Sequence, residues 1–599
     1  MAFRDFLKKH ENFIGALLLI LVIMVFTGIR YDYYYDLNDD VMMKDILAGV
    51  YTGEPEGHNI QMLWLISAFI SVFYRVARGL PWYGIFLCVC HYGSLFLIVN
   101  RSLSFCRKRI GKLMLLLTEG TLILGLFLDH LVSAQYTVTC TLLASAAAFL
   151  FLTTDINLPV KDFLKRNVGT VLLVFLAYLI RSEMLLLVLP LICVAGVIKW
   201  GSEKKIFVKE NFVKYLTVIG AILLAILAGQ VSHRIAYGSS AWRTFTEYFD
   251  NRTELYDFQK LPAYDDHAAF YESVGLTESE RELLDNYNFG LDEEIDEKLL
   301  GAIAKYASQC RSEEMPFAQR LQSALGNYVR RTLYGPSHNE SDYPFNLVIL
   351  LSYLTVFLSA MLIGGKKPGI RFLQIFWKLG FLGMVRTVLW LWLIMRDRVP
   401  VRISHSMYLM ELCILGALLI LQCRELCEEN LPFKKYVPAA AGILYLIVGA
   451  AILPLSVALT DEDVKSKEEN NVRYDALYSY LKSEDGKDNF YFIDVYSSVA
   501  YTEKMFVNVD NSLANYDIMG GWACKSPLFR KKLAAFGIEN MEGALTDRSD
   551  IYYVQEKGAD ILWLVDYYKD HGVSVCPELT DTVDDSFEIY HINIKEGKS

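Results

Sequence analysis

Apolar runs of about 18 to 22 residues recur along the 599-residue chain, separated by short clusters of Lys and Arg. Runs of that length with few charges are long enough to cross a bilayer as helices, and short cytoplasmic loops collect the basic residues. Together these patterns predict eleven spans, at 12–29, 82–100, 113–129, 134–153, 168–180, 184–199, 214–234, 346–363, 372–395, 404–422 and 436–458. The cytoplasmic loops then hold the cluster from Arg101 to Lys112, Lys161/Lys165/Arg166, Lys199/Lys204/Lys205/Lys209, Lys366/Lys367/Arg371 and Arg424/Lys434/Lys435.

One apolar run breaks the pattern. Residues 61–78 carry Arg75 and Arg78, and a crossing there would put the cluster Arg101–Lys112 on the wrong side. It is read instead as a helix lying along the interface, inside a first external loop, 30–81. The first run follows Arg4, Lys8 and Lys9 and has no small-residue cleavage motif after it, so it is expected to be retained, with the amino terminus cytoplasmic. An odd number of spans then puts the carboxyl end outside.

Two domains follow: 1–459, a transmembrane unit with external loops 30–81 and 236–345, and 460–599, an extracytoplasmic soluble domain. Acidic residues outnumber basic ones by 20 to 10 in loop 236–345 and by 27 to 15 in the tail, which corroborates an external placement. Within the tail, 471–482 has helical spacing, and Phe490–Asp494 and Ile561–Val565 read as strands around a turn at Gly520-Gly521. That suits an α/β or α+β fold. The whole chain is expected to be an α-helical polytopic membrane protein of about 11 transmembrane helices carrying this extra domain.

Composition narrows the chemistry. A formal net charge of −10 argues against a nucleic-acid partner. The eleven cysteines are scattered, mostly in spans; Cys423 and Cys427 lack the second pair of a zinc motif, and Cys524 and Cys576 are left as a pair or as two free thiols.

Charges at the edges of spans are costly and mark function. On the predicted outer side they are Asp39-Asp40 in loop 30–81, His58 after Glu54 and Glu56, Asp129-His130 at the end of span three, and Arg181 with Glu183 between spans five and six. His233 and Arg234 end span seven. Arg396, Arg398, Arg402 and His405 join spans nine and ten, against the positive-inside rule, and the planar arginine fork suits phosphate oxygens. Arg386, deeper in span nine, needs a partner, for which Glu411 is the candidate.

This order of elements resembles the GT-C superfamily of polytopic glycosyltransferases, which includes protein O-mannosyltransferases and aminoarabinose transferases. Asp39-Asp40 matches the family's acidic motif in the first external loop, helix 61–78 its juxtamembrane element, and Asp129 its second acidic position. The segment His58–Leu65 lacks the prolines that some members carry. The resemblance implies an inverting transfer of a sugar from a polyprenyl-phosphate donor to an extracytoplasmic acceptor, which would be a cell-surface glycopolymer, a lipid or a protein. Asp40 or Asp39 would take the acceptor's proton, or the two would hold a divalent cation (Mg or Mn). His58, Asp129, His130, Arg181, Glu183, Arg398 and Arg402 are the candidate substrate-binding residues, with Arg398 and Arg402 on the lipid phosphate. The competing readings are a transporter or flippase of lipid-linked saccharides and a non-catalytic envelope assembly protein.

Overall fold

The computed structural model describes residues 10–337, 341–364, 367–428, 436–508 and 511–595. The basic residues Arg4, Lys8, Lys9, Lys366, Lys434 and Lys435 lie outside those ranges.

Among the described residues, 11 helices are long and apolar enough to cross a membrane. They are Glu11–Arg30, Trp82–Leu103, Arg109–Val132, Tyr136–Thr153, Val160–Ile180, Ser182–Trp200, Lys209–Ala236, Phe345–Leu362, Pro368–Ile394, Val401–Glu428 and Val437–Leu481, numbered here as spans 1 to 11. Each overlaps the run that the sequence pattern predicts and falls short of it by two residues at most. Peripheral spans show lipid-type surface, such as Leu18, Val22 and Val25 on span 1 and Leu223, Leu224 and Leu227 on span 7. Span 4 is the enclosed one, packed against spans 2, 5, 6 and 10. Its run Ala144-Ser145-Ala146-Ala147-Ala148 is small enough to let neighbouring backbones approach.

Arg386 in span 9 does find Glu411 in span 10, Nε to Oε2 at 2.9 Å. Tyr353 donates to the same carboxylate at 2.6 Å, and Arg386 reaches the Tyr328 hydroxyl at 2.6 Å. Each charge thus has a buried partner of opposite sign, while Arg386 Nη2 has no hydrogen-bond partner among the described residues.

The helix Trp64–Val76 is amphipathic. Ile66, Ile70 and Tyr74 face the protein, while Phe69, Val72, Phe73 and Val76 are exposed, as an interfacial helix requires.

Loop 30–81, loop 236–345 and the tail pack together as one body on one side of the bundle. The tail's five-stranded sheet has the order β4-β3-β5-β7-β6, from β3 (Phe490–Ile493), β4 (Tyr516–Ile518), β5 (Ile551–Glu556), β6 (Val575–Val583) and β7 (Phe587–Ile594). The first three neighbours run parallel and the β6–β7 hairpin is antiparallel. Alternate residues of β3 serve two cores. Phe490 and Phe492 join the helices of loop 236–345, while Tyr491 and Ile493 pack on Tyr474, Leu477 and Leu481. Those last three belong to span 11, which continues without a break from Val437 to Leu481. The helical spacing at 471–482 is the end of this one helix.

One local expectation is corrected, and one open alternative is resolved. Ile561–Val565 is not a strand: Leu562–Asp570 is a helix that buries Leu564, Tyr567 and Tyr568 at helical spacing. A five-residue apolar run cannot distinguish the two states, and the deciding residues follow it. Cys524 is buried, Cys576 is exposed, and both are free thiols.

A cysteine introduced at Lys108 and another at Asp488, in protein whose accessible native cysteines are replaced, are expected to label from opposite faces of the membrane. Labelling of both from one face would overturn the eleven-span arrangement.

Candidate functional site

Beyond span 1, Tyr34–Tyr35 (β1) pair in parallel with Ser133–Ala134 (β2), which directly follow span 3. The chain then turns into the helix Asn38–Ala48, with Asp39 and Asp40 in its first turn, where the helix dipole favours carboxylates. Gly49 ends that helix at φ 90°, and a Cβ there would lie 2.7 Å from the Glu54 and Pro55 backbone. Lys44, on the same helix, is buried between Asp45 at 2.7 Å and Glu503 of the tail at 2.5 Å. Burial alone would lower its pKa, but the two carboxylates prevail and raise it.

Asp40 is fully buried. Its Oδ1 accepts from the Tyr83 hydroxyl at 2.7 Å and from the Tyr136 backbone N–H at 3.3 Å, while its Oδ2 is buried without a hydrogen-bond partner among the described residues. Burial drives its pKa well above the ordinary carboxylate range, and the neighbouring charges of Asp39 and Asp36 add to the rise. Asp39 is half-buried and accepts from the Trp522 indole N–H of the tail at 2.9 Å.

Two arginines converge on Tyr136. Arg181 lies over its ring at 4.5 Å, donates to Thr137 Oγ1 at 2.8 Å and is within electrostatic reach of Asp39. Arg402, half-buried, is also within electrostatic reach of Tyr136, and no ion pair engages it among the described residues. The result is an acidic pair, one carboxylate of it dry and basic, beside two cations on the same side of the bundle.

The other candidates lie elsewhere. His58 is held by Glu56 at 2.7 Å and the Ala236 carbonyl at 3.2 Å, and it stacks on Trp242, so it pins loop 30–81 to the segment after span 7. His130 Nε2 meets His405 Nδ1 at 2.9 Å, and Asp129 stands near Asp36. Asp36 in turn lies 4.0 Å from Lys467, which donates to Ser133 at 2.6 Å. Glu183 is exposed and bonds Ser182; it makes no ion pair with Arg181 among the described residues. Arg398 is neutralised by Asp257 at 2.7 Å. Arg396 lies over Phe258 and Trp392.

Tyr83, Tyr136, Trp522 and Lys467 were not legible as site residues. Trp522 meets Asp39 from 483 positions away. Tyr136 could have been noticed as a polar residue opening an apolar run just after Asp129.

A divalent cation between Asp39 and Asp40 would have their two free oxygens. No third imidazole, thiol or carboxylate gathers with them among the described residues. The remaining ligands would have to be phosphate and water, an arrangement that Mg2+ accepts.

No protein-family model matches the sequence, and no curated protein matches it. Among solved structures, the crystal structure of ArnT from Cupriavidus metallidurans bound to undecaprenyl phosphate aligns with 97% of this chain and 98% of its own. The sequence identity is 10% and the TM-score 0.35. A score at that level does not carry a functional assignment, which rests on the site's own geometry.

Replacing Lys44 with Met leaves Asp45 and Glu503 facing each other in a buried place and is expected to cost about 3–5 kcal/mol of stability. The double variant Lys44→Met, Glu503→Leu should recover part of that loss in thermal unfolding. An unchanged Tm for Lys44→Met would show that the pair does not fasten the acidic helix to the tail.

Proposed function

We propose that this chain is a membrane glycosyltransferase of the GT-C kind, transferring a sugar from a polyprenyl-phosphate donor to an acceptor hydroxyl at the outer face of the cell membrane. The acceptor would be a cell-surface glycopolymer, a lipid or a protein. The amino terminus would be cytoplasmic and the tail extracytoplasmic. The observation that carries this reading is Asp40, a fully buried carboxylate with one unpartnered oxygen, set beside Asp39 and bonded by the Tyr136 N–H, with the ion-pair-free Arg402 within electrostatic reach of Tyr136.

An acceptor hydroxyl is a weak nucleophile until a base takes its proton. Asp40, made more basic by desolvation, suits that role as the acceptor oxygen bonds to the anomeric carbon. The bond from that carbon to the lipid phosphate breaks in the same displacement, with inversion, and the phosphate leaves with the electron pair. Arg402 and Arg181 would bind the developing phosphate charge. Asp39, oriented by Trp522, would position the acceptor or share a cation with the phosphate. A cation there would supply further charge neutralisation to the leaving group.

The test is transfer from polyprenyl-phosphate sugars by the purified protein. Asp40→Asn is expected to lower the rate by about 10²–10⁴-fold. Asparagine keeps an acceptor oxygen for Tyr83 and Tyr136, and it removes a charge whose burial opposes folding above the ordinary carboxylate pKa, so Tm at neutral pH should not fall. In the native protein, activity should decline as pH falls through a value above the ordinary carboxylate range, because protonated Asp40 accepts no proton. Near-normal turnover of Asp40→Asn would remove the base from this site. If neither native protein nor variants transfer any sugar, the chain is a transporter or assembly protein.

Arg402→Lys should raise the KM for the donor by about ten- to a hundredfold, since lysine forfeits the second bond of a bidentate fork. Arg398→Lys, at a residue already neutralised by Asp257, should leave donor KM unchanged. The reverse pattern would move the phosphate site to Arg398.

A further inference from the structure

Away from the acidic pair, three segments of the extramembrane body bring two carboxylates and an imidazole together. Glu280 stands in the first turn of the helix Glu278–Asp285, Asp292 in the turn that follows it, and His571 directly after the helix Leu562–Asp570 of the tail. One ligand-type atom from each lies within 4.8 Å of the other two. Glu280 and Asp292 also border a cavity of about 320 Å³.

Local hydrogen bonds leave one atom of each residue aimed at the shared space. Asp292 is 3% exposed; its Oδ1 accepts from the Glu294 N–H at 2.7 Å, and its Oδ2 is buried without a partner among the described residues. Glu280 uses Oε2 to accept from the Thr277 N–H at 2.7 Å in a capping box, which frees Oε1. His571 Nδ1 sits 2.9 Å from the Tyr567 carbonyl, an oxygen that can only accept, so Nδ1 carries the proton. That fixes the tautomer and turns the Nε2 position toward Glu280 Oε1 at 3.3 Å. A histidine held through Nδ1 by a backbone carbonyl is the usual outer support of a metal-bound imidazole. A buried carboxylate oxygen without any donor calls for a cation.

We propose that Glu280, Asp292 and His571 hold a divalent transition-metal cation of the Zn2+ or Mn2+ class. One nitrogen and two oxygens suit those ions, whereas Ca2+ takes oxygen ligands alone. The ion ties loop 236–345 to the tail, so its role is structural and separate from the acidic pair at Asp39-Asp40. The rival arrangement is a protonated His571 paired with Glu280 and no metal.

The full-length protein in detergent, stripped with a chelator, is titrated with Zn2+, Mn2+ or Ca2+, and bound metal and Tm are read together. Zn2+ or Mn2+ should bind at about one equivalent and raise Tm by several degrees. Asp292→Asn and His571→Gln should each weaken that binding by at least about tenfold, whereas Glu484→Gln, at an exposed residue of the tail, should leave it unchanged. Each variant is compared with its own stripped form, so a lower starting Tm does not obscure the result. Absence of binding overturns the proposal, as does binding that both site variants retain. Loss with Asp39→Asn or Asp40→Asn instead would place the metal at the acidic pair. Equal preference for Ca2+ would remove the imidazole from the set.

Discussion

A short strand gripped on both edges sets the position of the acidic pair. On one edge, Tyr34–Tyr35 pair in parallel with Ser133–Ala134. On the other, Tyr35 donates to the Glu503 carbonyl at 3.0 Å and Met505 donates to the Tyr33 carbonyl at 2.7 Å. Neither contact is strong alone, because a backbone hydrogen bond contributes about 1 kcal/mol net. Their value is geometric. They join the end of span 1, the junction of spans 3 and 4 and the tail at one point, and they bring the Tyr136 N–H to Asp40.

The buried charges around that point are treated unequally. Lys44 has two carboxylates, and Arg386 has Glu411 and the Tyr328 hydroxyl, so each cation is matched. Asp40 receives two neutral donors and no counter-ion within the described residues, which leaves its charged form poorly supported. A protein tolerates such a group where activity needs it, at some expense in stability. That asymmetry separates Asp40 from an ordinary helix-cap carboxylate, the reading its position in the sequence would equally permit.

Length and charge made the membrane part legible. Eleven apolar runs could be counted, and Arg75 and Arg78 exposed the interfacial helix, because both signals are carried by neighbouring residues. The tail was legible only in part. Phe490–Ile493 is apolar on both faces and read correctly, whereas Ile561–Val565 has the same local look and proved helical. At the site, Asp39 and Asp40 could be singled out by type and position. Nothing local distinguishes Arg402 from Arg398, four residues apart on a similar background. The difference is Asp257, which arrives from another loop. Trp522 and Glu503 are equally non-local, and no periodicity announces them.

At 1.5 Å per residue, the 45-residue helix Val437–Leu481 is about 65–70 Å long, roughly twice the hydrocarbon thickness of a bilayer. Its far end is wedged under the sheet by Tyr474, Leu477 and Leu481, and the same tail places Trp522 on Asp39. The helix is therefore a lever with its fulcrum in the lipid. Transmembrane helices answer a change in bilayer thickness by tilting, and a tilt at one end of this rod is a displacement of the sheet at the other. One continuous helix thus joins the lipid-embedded segment to the tail domain that carries Trp522.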